Sequence, residues 1–317
     1  MASDSLTPRR SGERWSESLG NWLFLLPAVA FFLLWQVWPI IQVAWYSFTD
    51  FRFLDPNAPT TLLGLPTTFV GLANFRNALS DELVWRGIAR AFIFTSLFVP
   101  GMILIPMVVA TLVDRVTNPK ASMAYRLILL IPAMIPGPLV FVLWKWMYDL
   151  YIGPINYFLV NVFGLFTLRD QPQWLGDERL VFFSLAIMEW WWGLGYHTMF
   201  FLAGMATIPR DLTEAARIDG ASEFRLWRNI IVPRLLPIIL VLVVIRFGSA
   251  MAIIDEYLIM GAFNRDRPTY TWTVYMWETA FITGDWRQGY AAAIGWIGAL
   301  AMLVVVAGMF YVFRSRD

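Results

Sequence analysis

The chain has 317 residues, of which 58% are hydrophobic and only 15% are charged, with a formal net charge of +1. Because soluble domains carry roughly 25% charged residues, this composition excludes an ordinary soluble protein. The near-neutral charge gives no sign of nucleic-acid binding. With no cysteine and one histidine in the sequence, disulfides, thiol chemistry and a metal site built from several histidines are excluded as well.

Apolar segments of roughly 20 residues or more, the length needed to cross a bilayer, recur along the chain. They predict an all-α polytopic membrane protein with six transmembrane helices, at about residues 20–48, 86–113, 125–148, 180–207, 235–260 and 288–313. A polar segment, 1–19, precedes this transmembrane domain of residues 20–313, and a short tail, 314–317, follows it. The first apolar stretch is too long for the core of a signal peptide, which favours an uncleaved first span.

Prolines are expected to bend or break two of these spans. The first span contains Pro27 and Pro39, and the third contains three prolines, Pro132, Pro136 and Pro138. The remaining segments are predicted to be loops, with a semi-apolar piece at 155–166 that suits the membrane surface. These predicted loops are residues 49–84, 114–124, 149–179 and 261–286.

The distribution of lysine and arginine predicts the orientation. Thirteen of them lie in the N-terminal segment, the 114–126 loop with its flank, the 208–234 loop and the tail, whereas the three longer loops of the opposite side hold six and their flanks four. Cytoplasmic loops carry the excess of positive charge. Both termini and the 208–234 loop are therefore predicted to be cytoplasmic.

The polar stretch 208–237 between two apolar spans reads as helix, turn, helix. Pro209 suits the start of a first short helix, and Gly220 suits a chain that leaves a helix through positive φ. Ser222 can cap a second helix. Pro233 and Pro237 are expected to end that helix and to begin the fifth span.

On the second helix four apolar side chains fall at helical spacing and predict an apolar stripe. They are Phe224, Trp227, Ile230 and Ile231. An apolar stripe inside a charged loop needs either a protein partner or packing against the rest of the chain.

This stretch resembles the coupling loop of importer-type ABC transporter permeases, of the maltose and glycerol-phosphate type, in its Glu214-Ala215-Ala216, Gly220, Ile231 and Pro233. The similarity continues over nearly all of residues 20–313. Its further pieces are Phe69–Phe75, Trp144–Trp146, Gly153–Asn156, Trp174–Asp177, Phe201–Gly204 and Asp219–Ser222.

The resemblance implies a permease subunit, in a prokaryotic plasma membrane, of an ATP-driven importer that carries a sugar or sugar-like solute by alternating access. The loop of residues 208–234 would dock into a separate ATPase subunit. The implied docking residues are Glu214, Ala215, Ala216, Asp219, Gly220, Phe224 and Pro233. The implied partners are a second, homologous permease, two ATPase subunits, an extracytoplasmic solute-binding protein and membrane lipid.

The chain itself is not expected to be an enzyme or to hold a cofactor. A phosphate-binding loop of the form G-x-x-x-x-G-K-[ST] does not occur in the sequence. ATP and magnesium are therefore expected to be used by the partner ATPase.

Polar residues within the predicted spans are costly in a bilayer and are candidates for the solute path. In span 4, Glu189, Trp192, Gly193 and Tyr196 share one helical face, and in span 5, Ser249, Ile253 and Glu256 share another with Ala252. Sugars are bound by aromatic faces together with carboxylates and hydroxyls that hydrogen-bond to the ring hydroxyls. By resemblance, Gly193 with Tyr196 and Ser249 with Ile253 fall where maltose-type permeases line their sugar site.

Purely structural roles remain open for several of these side chains. Trp191 and Trp192 could face lipid, Asp255 and Glu256 could be hydrated near the outer interface, and Arg246 could pair with a carboxylate between helices. His197 is expected to be a satisfied packing group. The small residues of span 6 predict close helix packing, most simply with a partner subunit.

Two points stay open at this level. Residues 261–269 depart from the Gly-Gly-Gly-Pro run of many relatives, which leaves the solute and the role of this loop undefined. The alternative function is a self-contained, ion-coupled secondary transporter or channel, with the membrane carboxylates as its ion or proton sites.

Overall fold

The computed structural model describes residues 23–52, 68–261 and 264–314. Within these ranges the regular structure is helical, and one isolated antiparallel bridge, between Thr49 and Phe69, is the sole β-pairing. The predicted all-α class is therefore confirmed for the described residues. The predicted N-terminal segment 1–19 lies outside them, as does the tail beyond Arg314.

The helices are numbered here in chain order, and four of them, α1, α3, α9 and α12, are long and apolar enough to cross a membrane. The described helices are α1 (Leu23–Ser47), α2 (Ala73–Ser80), α3 (Glu82–Asp114), α4 (Pro119–Leu130), α5 (Gly137–Met147), α6 (Pro154–Tyr157), α7 (Val181–Met205), α8 (Arg210–Ile218), α9 (Glu223–Met251), α10 (Asp255–Met260), α11 (Trp272–Phe281) and α12 (Gln288–Arg314).

The other two predicted spans are less apolar or less regular. Helix α7 has 25 residues, but Glu189, His197 and three consecutive tryptophans lower its hydropathy. The third predicted span is broken, as its prolines predicted. It consists of α4, a 3₁₀ turn at Pro132–Met134 and α5, which starts after Pro136.

The chain divides into two compact units. The smaller contains the described residues up to Asn77 together with Thr279–Ala293. In this unit the buried side chain of Asn74 donates hydrogen bonds to the carbonyl oxygens of Ser47 (3.0 Å) and Thr49 (2.9 Å). These bonds fix the turn that follows α1.

The larger unit contains Ala78–Glu278 and the residues from Ile294 onward. Helix α3 lies along α7 and also packs on α9. Its buried Phe94, Phe98 and Met102 form the core with α7. Gly101 lies directly against the indole of Trp190, whose Nε1 donates to the carbonyl of Phe98 at 2.9 Å. This close approach brings α3 and α7 together.

Helices occur in every segment that was predicted to be a loop, namely α2, α4, α6 and α11. Helix α4 begins early because Asn118 caps it, accepting from the backbone of Lys120 at 3.0 Å, and Pro119 is its first residue. The predicted loop 261–286 likewise contains a helix. Helix α11 forms there because Trp272 and neighbouring apolar side chains are buried.

The prediction that the second helix of the 208–237 stretch ends at Pro233 and Pro237 is wrong. Helix α9 runs without interruption from Glu223 through both prolines to Met251. A π-turn at Trp227–Ile231 precedes them, in which the Val232 N–H bonds to the carbonyl of Trp227. The π-turn shifts the hydrogen-bond register just before Pro233, so the helix absorbs a residue that lacks an N–H.

The predicted continuous fifth span, 235–260, is also wrong. Helix α9 ends at Met251, and α10 begins at Asp255. The carbonyl groups left free at the break are satisfied by the 271–273 region. Trp272 Nε1 donates to Met251 O at 3.0 Å, and Thr273 Oγ1 donates to Ile253 O at 2.6 Å. Non-helical backbone at membrane depth is tolerated where it is covered in this way or lines a cavity.

The divergent loop after α10 is held by arginines. Arg90 donates from its guanidinium to the carbonyls of Arg265 (2.8 Å), Asp266 (2.9 Å) and Tyr270 (3.0 Å). Burial and a hydrogen bond with Glu278 raise the pKa of the Tyr270 hydroxyl. The described part of this loop is therefore fixed by specific polar contacts.

Candidate functional site

A cavity of about 240 Å³ lies where α9 breaks. Helices α3 and α7 contribute one wall, and the end of α9, the break and the start of α10 contribute the other. Its lining residues are Phe98, Glu189, Trp192, Arg246, Ser249, Ala250, Ala252, Ile253, Ile254, Asp255 and Glu256. The missing helical turn makes this space, because three residues run through it without helical neighbours.

Glu189 is the most deeply placed polar group of the cavity. Its side chain comes from the middle of α7 and is 6% exposed. One carboxyl oxygen, Oε1, is buried without a hydrogen-bond partner. The carboxyl group of Glu256 is a neighbour of that of Glu189 in the lining of the cavity. Buried polar atoms in native proteins are nearly always bonded, so Oε1 lacks a donor that the described residues do not supply.

Arg246 also lines the cavity, but its Nε–H is directed to His197 Nε2 at 2.6 Å. Arginine can only donate, so Nε2 of His197 accepts and Nδ1 carries the proton toward the Gly193 carbonyl at 2.7 Å. The side chain of His197 is fully buried. These contacts agree with the interpretation of His197 as a packing group, and the Nε partner of Arg246 is an imidazole rather than a carboxylate.

The tryptophans of α7 pack inside the fold. Trp192 Nε1 donates to the Ile135 carbonyl at 3.1 Å, and its ring meets Phe141 edge-on with centroids 5.7 Å apart. Trp191 lies against Trp144, with centroids 5.6 Å apart. Trp192 therefore has a fixed position at the wall of the cavity.

Five of the seven residues predicted for the solute path line the cavity: Glu189, Trp192, Ser249, Ile253 and Glu256. The other two, Gly193 and Tyr196, are placed elsewhere. A Cβ on Gly193 would lie 2.8 Å from Met102 Cε, so this glycine faces α3. Tyr196 is 50% exposed and contacts Phe200.

The predicted helical face of span 5 does not exist as such, because α9 ends before Ala252. Its residues still meet in the cavity, since the break turns the backbone itself toward that space. Asp255 and Ile254 were not predicted as lining residues. Adjacent acidic residues at 255 and 256 are a helix-start signal that could have located the second helix. No cluster of metal-ligating side chains occurs in the part of the chain that the structure describes.

The 210–234 region forms the predicted helical hairpin. Helix α8 follows Pro209, Gly220 adopts φ +77°, and Ser222 Oγ accepts from the Arg225 N–H at 3.4 Å at the start of α9. A Cβ at Gly220 would meet no atom within 4 Å. The glycine is thus required by backbone conformation rather than by space.

The hairpin presents charged and apolar side chains together to the surroundings. Glu214 and Ala215 are exposed on α8. Phe224 is 67% exposed and stacks on Trp227, with centroids 6.2 Å apart. Of the remaining docking candidates, Ala216 is half-buried, while Asp219 and Pro233 are exposed.

Glu223 ties the hairpin to the end of α3. Its carboxylate pairs with Arg115 at 2.8 Å and with Arg217 at 3.2 Å. An apolar groove of about 410 Å³ beside this pair is lined by Val108, Leu112 and the Phe224–Trp227 rings, among others. The apolar stripe is therefore only partly covered by the chain's own residues.

A family model described as the binding-protein-dependent transport system inner membrane component matches residues 80–316. The chain belongs to this family. The permease is thus a multi-pass component of the inner membrane, and the resemblance drawn from its sequence is confirmed.

Two curated relatives match this permease over most of their length. It is 28% identical over 274 residues to the sn-glycerol-3-phosphate transport system permease protein UgpA of Pectobacterium atrosepticum, a match that covers 86% of this chain and 84% of the relative. It is 27% identical over 304 residues to the probable starch degradation products transport system permease protein AmyD of Thermoanaerobacterium thermosulfurigenes, covering 93% and 94%.

A solved structure shares the fold of the permease. A chain in the crystal structure of a bacterial alginate ABC transporter, in complex with an alginate pentasaccharide-bound periplasmic protein, superposes with a TM-score of 0.80 at 20% identity. The match covers 97% of this permease and 98% of that chain. The arrangement of helices is therefore common to both proteins.

Proposed function

We propose that this permease is the membrane-spanning subunit of an ATP-driven ABC importer that carries a sugar or sugar-like solute. The observation that carries the proposal is the exposed hairpin, with Glu214 on α8, the positive φ of Gly220 and the uncovered ring of Phe224. On a permease of this family, a structured hairpin with unpartnered apolar surface suits docking to a separate ATPase.

The proposed arrangement has six spans, with both termini and the hairpin in the cytoplasm. Arg217, Arg225 and Arg228 of the hairpin fit the cytoplasmic excess of positive charge. The spans are α1, α3, the broken pair α4 and α5, α7, α9 and α12. The loop after α10 then lies on the outer side, where a solute-binding protein would deliver its cargo.

Transport proceeds by alternating access. ATP closes the two ATPase subunits against each other, and the hairpin carries that movement into the spans, so that the cavity at the α9 break opens to one side and then to the other. Such a cycle needs ATP to bind one state more tightly than the other, since a ligand shifts an equilibrium only by its differential affinity. ATP and magnesium belong to the ATPase subunits.

The complex contains, in this proposal, a second permease that is homologous but different, two ATPase subunits, an extracytoplasmic solute-binding protein and surrounding lipid. The names of the relatives support a sugar-like cargo, since they refer to glycerol phosphate and to starch products.

The docking claim is tested by charge reversal. Glu214→Lys is expected to reduce co-purification of the ATPase and solute uptake together, while the permease still inserts into the membrane. Glu178→Lys is the matched control, because Glu178 is also exposed and lies in the loop between α6 and α7, outside the hairpin. If Glu214→Lys assembles and transports like the wild type, the hairpin does not dock as proposed.

The same purification separates this proposal from an ion-coupled transporter or channel. A stoichiometric ATPase in the purified complex supports the importer. Uptake by the permease alone, driven by an ion gradient, would contradict it.

A further inference from the structure

The charged groups of the cavity are unequal in sign. Glu189, Asp255 and Glu256 contribute three carboxyl groups, against the single guanidinium of Arg246. Two of the carboxyl groups, those of Glu189 and Glu256, are neighbours in the lining. This pair presents no positive charge to a bound molecule.

The one cation is already engaged. The Nε–H of Arg246 is bonded to the buried ring of His197 at 2.6 Å, which fixes the plane of the guanidinium. Recognition of a carboxylate or phosphate works best through a guanidinium with its fork of N–H groups free. The side of the fork that includes Nε is occupied by the imidazole.

The unsatisfied atom of the cavity is an acceptor. Glu189 Oε1 is buried without a hydrogen-bond partner, on a side chain that is 6% exposed. A solute hydroxyl would supply the missing donor. The exposed Ser249 hydroxyl and the fixed indole of Trp192 complete a wall that suits one edge and one apolar face of a sugar ring.

We infer that this cavity selects an uncharged polyhydroxyl solute and rejects sugars that carry a phosphate or a carboxylate. The inference rests on the proposed function and narrows its solute class. It separates this permease from UgpA, named for a phosphate ester, and from the alginate transporter, named for an acidic polysaccharide. Discrimination of this kind comes from placing unpaired like charge against the wrong ligand.

The test compares each uncharged sugar with its own acidic derivative in the reconstituted complex with its binding protein. The pairs are maltose with maltobionate, cellobiose with cellobionate, and glucose with glucose 6-phosphate. Wild-type complex is expected to take up at least one uncharged sugar, and to take up the acidic partner of that sugar at least about tenfold more slowly, a factor of ten being the usual consequence of one modest interaction.

Variants of the cavity test whether this chain, rather than the binding protein, sets the ratio of the two uptake rates. Glu256→Gln and Asp255→Asn each remove one carboxylate from the cavity, and each is expected to raise uptake of the acidic derivative relative to its uncharged parent several-fold. Asp255 is exposed, so its substitution leaves the packing intact. Glu178→Gln, at an exposed carboxylate that does not line the cavity, is expected to leave the ratio unchanged.

Three results would overturn the inference. The wild type could carry an acidic derivative as fast as its parent, both cavity variants could keep the wild-type ratio, or a complex that hydrolyses ATP could carry none of the uncharged sugars. Failure of the proposed function is a different result, since the permease would then purify without an ATPase.

Discussion

Gly220 offers the sharpest test of the hairpin, because its backbone is strained for other residues while the space around it is open. Its φ is +77°, and an added Cβ would meet nothing within 4 Å. Gly220→Val therefore introduces a conformational cost without a steric clash. A β-branched residue held in the left-handed region costs about 1–2 kcal/mol.

The hairpin can relieve this cost only by moving α8 relative to the start of α9. If docking requires the native angle, the affinity for the ATPase is expected to fall roughly 5- to 30-fold, which is the same free energy expressed as a binding constant. Gly220→Asn is expected to lose less, because asparagine tolerates the left-handed conformation. The measurement is titration of detergent-purified permease with its ATPase subunit.

A matched control exists in the same chain. Gly164 has φ +62°, and an added Cβ there would also meet nothing within 4 Å. Gly164→Val is expected to carry the same local cost but to leave ATPase binding at the wild-type level. Equal binding by Gly220→Val and the wild type, or equal losses in both valine variants, would refute the reasoning.

Two further predictions concern the walls of the cavity. His197→Ala leaves the Arg246 Nε–H without its acceptor and is expected to lower the free energy of unfolding by about 1–3 kcal/mol, measured as a lower melting temperature in detergent. His197→Gln restores an acceptor and should recover part of the loss. A melting temperature unchanged in His197→Ala would contradict the assigned hydrogen bond. Trp272→Phe removes the donor to the Met251 carbonyl at the helix break. It should lower the free energy of unfolding by roughly 1 kcal/mol and increase the rate of amide hydrogen exchange at residues 251–254. Unaltered exchange there would show that the indole does not stabilise the break.

The hairpin was predictable from sequence because its determinants are local. Pro209, Gly220 and Ser222 each fix a backbone conformation within one turn of themselves, and the structure places all three as expected. Four of the spans were predictable for the similar reason that apolar length alone defines them. The bounds of the helices were less predictable, as where Asn118 caps α4 within a predicted loop.

The cavity could not be predicted in full, because the break in α9 depends on distant residues. Residues 252–254 contain neither glycine nor proline, and the carbonyls freed there are bonded by Trp272 and Thr273, about 20 residues later in a predicted loop. A helical projection therefore placed Glu256 near Ser249 for the wrong geometric reason. The same projection placed Gly193 and Tyr196 in the lining of the cavity. In the structure Gly193 packs against Met102, and Tyr196 is exposed on the outside.

The small residues of span 6 show how tertiary context changes an interpretation. The sequence favoured a partner subunit for this stripe. The stripe consists of Gly289, Ala293, Gly295 and Ala299. The structure uses part of it within the chain, since Gly289 lies directly against the carbonyl of Thr49 and a Cβ on Gly295 would lie 3.1 Å from Met276 Sδ. The stripe by itself therefore does not define an interface with another subunit.

Because α9 continues through Pro233 and Pro237, it forms one uninterrupted helical rod. Its 29 residues, Glu223–Met251, extend about 43 Å at 1.5 Å per residue. One end begins in the hairpin beside Phe224, and the other stops where the cavity begins. A push or a twist applied to the hairpin would need no relay of side chains to reach the solute. It would arrive as a displacement of the far end of α9, and residues 252–254, which lie between α9 and α10, are the segment able to bend in response.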